Sequence, residues 1–311
     1  MKKRIPSIVK KIQTTPHNVP DYSFQKTISY SQFSIYNECP HKWKLLYKDG
    51  LNNYQPTIHT TFGTAIHNTI QHYLTVMYEQ SGAEADRINL EELFEEEFRQ
   101  TYSKEYIKNK KTHFSNPEEM REFFDDGVEI LNYLKKKKNI YFSKRGWYLI
   151  KCELPIIADF NYKIKNLLYN GYIDIVLYHE PTDKHLIIDF KTSTRGWNEK
   201  AKKDENKQFQ ILLYKNFYSK QFGINEDNIE VEFVILKRKI FEESLYPQSR
   251  IQEYAPSSGK IKMKKATTAL DKFLEACFNP DGTYKDVDHP ITPNKNCQYC
   301  PFDGKKEFCN K

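Results

Sequence analysis

Four short runs rich in β-branched and aromatic residues constrain this chain most: "GWYLIKCELPIIADF", "LLYNGYIDIVLYHE", "HLIIDFKTS" and "IEVEFVILKRK". Each is bounded by turn residues, and together they predict strands between residues 146 and 239. The "EPTD" between the second and third runs reads as a turn. A helical pattern, "NKQFQILLYKNFYSKQFG", separates the third run from the fourth, with Phe209, Leu212, Leu213, Tyr214 and Phe217 inward. Strands interrupted by a crossover helix predict an α/β (α+β) core: a mixed sheet flanked by helices. The charged "NEKAKKDENK" ahead of that helix reads as a solvated loop.

The N-terminal half has a different period. In "ISYSQFSIYNECPHKWKLLYKDGL", Ser29 and Ser31 are N-cap candidates before Phe33, Tyr36, Trp43 and Leu46. A second helix is expected from about Thr61 to Met77, with Phe62, Ile66, Ile70, Tyr73, Leu74 and Met77 on one face. Helical periodicity resumes from Leu90 to about Leu134, with Asn116-Pro117 as a break and restart. Residues 1–27 contain Pro6, Pro16 and Pro20 and read as a flexible basic arm. The expected organisation is therefore this arm, a helical region over 28–139, a core over 140–265, and a helix with a cysteine-bearing tail over 266–311.

The strands pose a chemical question. Asp174 lies inside "YIDIVLY", where an unpaired carboxylate is costly. Asp189 ends "HLIID", and Lys191 lies two residues on, so both project from one face of a strand. Converging carboxylates can hold a hard divalent cation such as Mg²⁺ or Mn²⁺. A lysine beside them can polarise a water or offset charge at a phosphate. Against this stands a plain strand-end ion pair, with Asp174 capping a turn. Gln210 and Tyr214 share a helix face at i, i+4. His67, four residues after Gly63 in "TFGTAIHNTI", could offer an imidazole; His72 on the same helix reads as an incidental surface residue.

"FGTAIH", "GYIDIV", "IIDFKTS" and "QFQILLY" together resemble the PD-(D/E)XK nuclease superfamily, specifically its RecB-like branch, which includes AddB-type helicase-nucleases and CRISPR-adaptation exonucleases. The resemblance runs from about Ser29 to the C-terminus and implies a restriction-endonuclease-like core. It implies metal ligation by His67, Asp174, Asp189 and the Phe190 carbonyl, catalysis by Lys191, and a Q-x-x-x-Y motif at Gln210 and Tyr214. An acidic residue on the preceding strand would be Glu153, where "KCELPI" is a looser match and a solvated strand residue fits equally.

The chain has six cysteines, three of them in "NKNCQYCPFDGKKEFC": Cys297, Cys300 and Cys309. Three clustered thiols need a fourth ligand for tetrahedral zinc or a cubane cluster. Cys39 in "NECPHKW" is the candidate, because one early and three late cysteines resemble the branch in which four thiolates hold a 4Fe-4S cluster. Zinc is the rival occupant. Cys152 and Cys277 lie in apolar contexts and read as core packing.

The balance of 48 Lys+Arg against 41 Asp+Glu, a formal +7, suits an anionic partner. Basic residues interleaved with aromatics in "HKWKLLYK", "KKKKNIYFSKRGW" and "KIKMKK" suggest a channel for a single strand of DNA, walled by the helical half from Ile28 to Leu134. No run approaches the ~20 apolar residues of a membrane span, and the N-terminus lacks the apolar core of a secretory signal, so an intracellular location is expected. There is no Walker A motif, so an ATP-driven motor, such as a helicase or recombination protein, would be a partner. The resemblance is greater to compact stand-alone nucleases, which admits a viral or mobile-element origin. The expected function is a metal-dependent exonuclease on single-stranded DNA ends in recombination, repair or replication. The alternatives are a structure-selective endonuclease on the same core and a non-catalytic DNA-binding subunit.

Overall fold

The computed structural model describes residues 4–16, 25–51, 55–142, 144–160, 163–241 and 243–309. Helix α1 (Ser7–Thr14) and strand β1 (Lys26–Ile28) precede α2 (Tyr30–Glu38), α3 (Pro40–Trp43) and a π-helical turn at Lys44–Lys48. The helical region continues with α4 (Ile58–Glu79), α5 (Gly82–Asp86), α6 (Leu90–Lys108) and α7 (Pro117–Tyr141). Strands β2 (Trp147–Asp159), β3 (Leu167–His179) and β4 (Lys184–Ser193) follow. Then come α8 (Glu199–Lys202), α9 (Glu205–Phe222), β5 (Ile229–Lys237), β6 (Ile251–Tyr254) and α10 (Lys260–Cys277).

The helix starts have local chemical causes. Ser29 caps α2 by accepting the Gln32 N–H, and Thr57 and Thr60 form a reciprocal capping box on α4. Asn116 accepts the Glu119 N–H while Pro117 occupies the first turn of α7, which explains the break in the helical pattern. Helix α9 ends at Gly223, whose φ of +67° suits glycine.

The described strands form one mixed six-stranded sheet in the order β1-β3-β4-β5-β6, with β2 on the other edge of β3. Strand β2 pairs antiparallel along nearly all of β3. The opposite edge of β3 is shared: β1 runs parallel to Leu167–Tyr169, and β4 runs antiparallel to Ile175–His179. The β3–β4 ladder ends at Ile175↔Ile188, so Asp174 and Asp189 are the next facing residues as the strands part. Strand β4 then continues parallel to β5, with Asp189 opposite Phe233 and Lys191 opposite Ile235.

Period-two alternation sorts side chains to the two faces. Ile187 joins one apolar layer with Val9, Phe33, Leu213 and Phe273, under α1, α2, α9 and α10. Ile188 and Phe190 join the other, with Phe62, Ile66, Phe94 and Leu134 from α4, α6 and α7. The helical region and the sheet therefore share a core.

Residues 4–16 differ from the expected arm. Val9 and Ile12 are buried, and the Gln13 amide donates to the Ile150 carbonyl of β2 at 3.1 Å. Pro6 and Pro16 bound α1 rather than forbid it, and "SIVKKIQT" puts its two buried residues, Val9 and Ile12, at i, i+3. Lys26 and Thr27 of the expected arm likewise pair with β3 as part of β1, and its residues 1–3 and 17–24 lie outside the described residues. Strands β1 and β6 were not expected, being three and four residues long and too short to show a period. Helix α10 starts at Lys260 rather than Ala266. The charged lead-in to α9 carries the short α8, capped by Asn198.

Candidate functional site

The site forms where β3 and β4 diverge. Asp189 is 1% exposed, and its Oδ2 lies 2.6 Å from the Lys191 ammonium. Lys191 is the charge partner of this buried oxygen. Lys191 donates to Gln210 Oε1 at 2.8 Å, and the Gln210 amide reaches the Tyr214 hydroxyl at 3.4 Å. Asp174 Oδ2 accepts the Phe190 backbone N–H at 2.7 Å, across the parting strands. His67 Nδ1, from α4, stands 3.8 Å from the same oxygen, and His67 Nε2 is buried without a partner. The residues expected at 67, 174, 189, 191, 210 and 214 are thus brought together. Phe190 contributes its backbone, while its ring packs into the layer under α4. His72 is exposed.

Burial dominates the electrostatics. It pushes the Asp174 carboxyl up to about 6, against the opposing pull of Lys191 and the Phe190 N–H. Asp189 is likewise raised to about 6 by burial, with Lys191 lowering it and Asp174 raising it. Burial, helped by Lys191, lowers His67 to about 4, leaving a neutral imidazole that can donate a lone pair.

Two further residues belong to this constellation. Glu153 sits on β2 between the pairs Cys152↔Ile175 and Leu154↔Ile173, opposite Asp174, with its backbone at φ +50°. A non-glycine residue held there stores strain of about 1–3 kcal/mol. The buried Gln71 amide donates to Glu153 Oε1 at 2.6 Å and to the Asp174 carbonyl at 3.3 Å. Burial and Asp189 raise the Glu153 carboxyl. The sequence carried a signal for Gln71, an amide one turn after His67 on the apolar face of α4; it went unread. Behind the site, an added Cβ at Gly171 would meet the rings of Tyr169 and Tyr214 at 3.1 Å, so glycine permits their close approach.

Among the described residues, no three acidic, histidine or cysteine side chains are already drawn together as a metal cage. The donor chemistry nonetheless suits a hard divalent cation: one buried and one half-buried carboxylate, and a neutral imidazole with an orphaned nitrogen.

Cys39, Cys297, Cys300 and Cys309 line a single cavity at the α2–α3 corner. The tail is tied there by Asn294 Nδ2 to the Glu38 carbonyl (3.2 Å) and by His41 Nε2 to the Phe308 carbonyl (2.7 Å). Cys277 is buried in the apolar core under α10, and the Cys152 thiol faces the Gln71 carbonyl, both apart from this cavity.

Several residues of the basic stretches are engaged within the fold. Trp43 of "HKWKLLYK" is fully buried among aromatic rings and is not a stacking platform. Lys42, Lys44 and Lys48 pair with Glu38, Asp49 and Asp286. In the second stretch Lys138 pairs with Asp86, and Lys135 donates to the Ile88 carbonyl. In the third, Lys262 and Lys265 hold Glu205. The sequence shows the cations but not the partners folding brings to them.

No described helix is long and apolar enough to cross a membrane. A family model described as the PD-(D/E)XK nuclease superfamily matches residues 27–305. Among solved structures, the chain is similar to an Eubacterium rectale protein described as "Putative exonuclease", with a TM-score of 0.48. The two share 10% identity over 84% of this chain and 85% of that one. No curated protein matches.

Proposed function

The chain belongs to the PD-(D/E)XK nuclease superfamily, and on that premise we propose that it is a divalent-metal-dependent exonuclease acting on single-stranded DNA ends. The observation that carries the reading is the Lys191 ammonium, held between Asp189 Oδ2 at 2.6 Å and Gln210 Oε1 at 2.8 Å beside the facing Asp174.

In this reading Asp174 and Asp189, with His67 and the Phe190 carbonyl, hold Mg²⁺ or Mn²⁺. Bound there, such an ion polarises the scissile phosphate and acidifies a water. Lys191 is aimed by Gln210 and Asp189, so its charge is fixed before the phosphate gains negative charge in attack. Tyr214 restrains the Gln210 amide. Gln71 holds Glu153 at the edge of the same site. Incubation with linear, circular and flap single strands and with blunt duplex tests the substrate class. Stepwise shortening confined to linear strands fits an exonuclease; cleavage of circles or at flap junctions alone would make it an endonuclease.

At the α2–α3 corner, Cys39, Cys297, Cys300 and Cys309 hold a 4Fe-4S cluster in this reading, with zinc the rival. The four thiols lining one cavity support a common ligand. Hydrolysis needs no electron transfer, so the group's role is to staple the chain's ends, restricting the unfolded chain. A role in recombination, repair or replication with a separate motor, in the cytoplasm, completes the reading.

A further inference from the structure

Strands β4 and β5 run parallel and leave the sheet on the edge that lies beyond Lys191. There the chain after Ser193 and the loop joining β5 to β6 are bonded together: Arg238 N donates to the Ser193 carbonyl and Lys239 N to the Thr194 carbonyl, at 2.9 and 2.7 Å. Beyond these bonds the loop projects Phe241, Leu245 and Tyr246, which are 60%, 95% and 78% exposed. Large apolar side chains grouped on one loop tip and left in water mark a contact surface.

The base of this loop is clamped to α7. Arg238 bonds to Asp126 at 3.0 Å and lies over the Phe123 ring, and Lys239 pairs with Glu122 and Asp126, both at 2.9 Å. On the returning arm Arg250 pairs with Glu129, and Tyr133 donates to Ser249 at 3.1 Å. Both arms are therefore anchored to α7 at the base of the loop. The exposed Arg195 guanidinium stands 4.9 Å from the Phe241 ring centre. Lys239 is already neutralised and Glu243 shares the tip, so Arg195 is the cation beside the apolar group.

We propose that Phe241, Tyr246 and Arg195 form a stacking platform for unpaired nucleotides on their way to the cleavage site. The inference rests on the nuclease reading above. Aromatic faces accept any base that is not already stacked in a duplex, and an adjacent arginine meets the phosphate. Arg195 lies four positions beyond Lys191, so their backbones are at most about 14 Å apart. That is the reach of a few nucleotides, so a strand lying on the platform can deliver its end to Lys191. A protein partner seated on the tip is the competing outcome.

The test is the affinity of the full chain for fluorescein-labelled oligo(dT) and for a blunt duplex, measured by anisotropy in EDTA. Losing a stacked base costs about 1–3 kcal/mol, so Phe241→Ala/Tyr246→Ala should bind oligo(dT) about 10-fold more weakly or worse. Its duplex affinity and melting temperature should change little, and Phe241→Trp should bind oligo(dT) as well as the wild type or better. Unchanged oligo(dT) affinity in the double variant, in a chain that still cuts DNA, overturns the platform and leaves the nuclease reading intact. Equal losses for oligo(dT) and duplex also overturn it, since stacking requires unpaired bases. A wild type that neither binds nor cuts any DNA sinks both.

Discussion

Asp174 Oδ2 accepts the Phe190 amide hydrogen at 2.7 Å, so one carboxylate closes the gap between two strands and, in the proposed reading, also serves as a cation ligand. Its structural and chemical duties are separable by substitution. Asn at 174 keeps an acceptor for the amide but no charge; Ala keeps neither.

We therefore expect Asp174→Asn in EDTA to melt no lower than the wild type, and higher near pH 7.5 because its carboxyl too is raised to about 6, while losing at least about 1000-fold in cleavage rate, the scale of removing a preorganised electrostatic group. Asp174→Ala should lose activity equally and also about 1–3 kcal/mol of stability, because the Phe190 N–H is left without a partner. Urea unfolding and single-turnover cleavage read the two effects. Wild-type cleavage by Asp174→Asn would remove Asp174 from the chemistry.

The raised carboxyl of Asp189 has a consequence for stability in the absence of metal. Its folded value of about 6 exceeds the ordinary 3.8, so the folded state holds this proton more tightly than the unfolded chain. The stabilisation from that proton is fully present below about 3.8 and is lost as pH rises through about 6. Asp189→Asn, which cannot ionise, should match the wild type near pH 4 in EDTA. By pH 7.5 it should exceed it by about 1–3 kcal/mol, as a shift near two units implies. A difference that stays constant across this range would contradict the assignment. Cleavage by the wild type should climb with pH through about 6, as both carboxylates ionise and can receive a cation.

Gln71 never reaches Lys191, yet it holds Glu153 against a strained backbone. Gln71→Ala should leave the core packed and lower cleavage about 10-fold, an order expected for loss of a supporting hydrogen bond around a metal site. The loss should lessen as Mn²⁺ is raised if Glu153 supports cation binding. A loss that Mn²⁺ does not touch would assign Gln71 to shaping the strand alone.

The four-thiol cavity makes a composition claim. Cys300→Ser purified without oxygen should lose iron (or zinc) and melt several degrees lower, while Cys152→Ser should keep its metal content. Closing so long a loop makes the stabilisation large in principle. Equal metal content and melting temperature in Cys300→Ser and wild type would exclude a structural metal there.

Much of this was legible in the sequence for identifiable reasons. The strand runs from 146 to 239 were visible because burial on both faces leaves near-continuous apolar stretches. Asp174, Asp189 and Lys191 stood out because charge is costly in such runs. Asn116-Pro117 and Ser29 announced helix starts through their own side-chain chemistry. What stayed hidden depends on pairing. The split edge of β3 is a property of register among three strands. The left-handed backbone of Glu153 lies in an in-register stretch of β2, with no glycine to mark it. Trp43 belongs both to the apolar helical pattern and to a basic stretch; it is buried, while Lys42 and Lys44 beside it pair with Glu38 and Asp49.

The most direct measurement is cleavage of end-labelled single-stranded DNA by wild type and Lys191→Ala, with Mn²⁺ and then with EDTA. The account predicts progressive shortening by the wild type that stops on chelation, and none by Lys191→Ala despite a wild-type melting curve. Cleavage that persists in EDTA, or that survives loss of Lys191 undiminished, would contradict it.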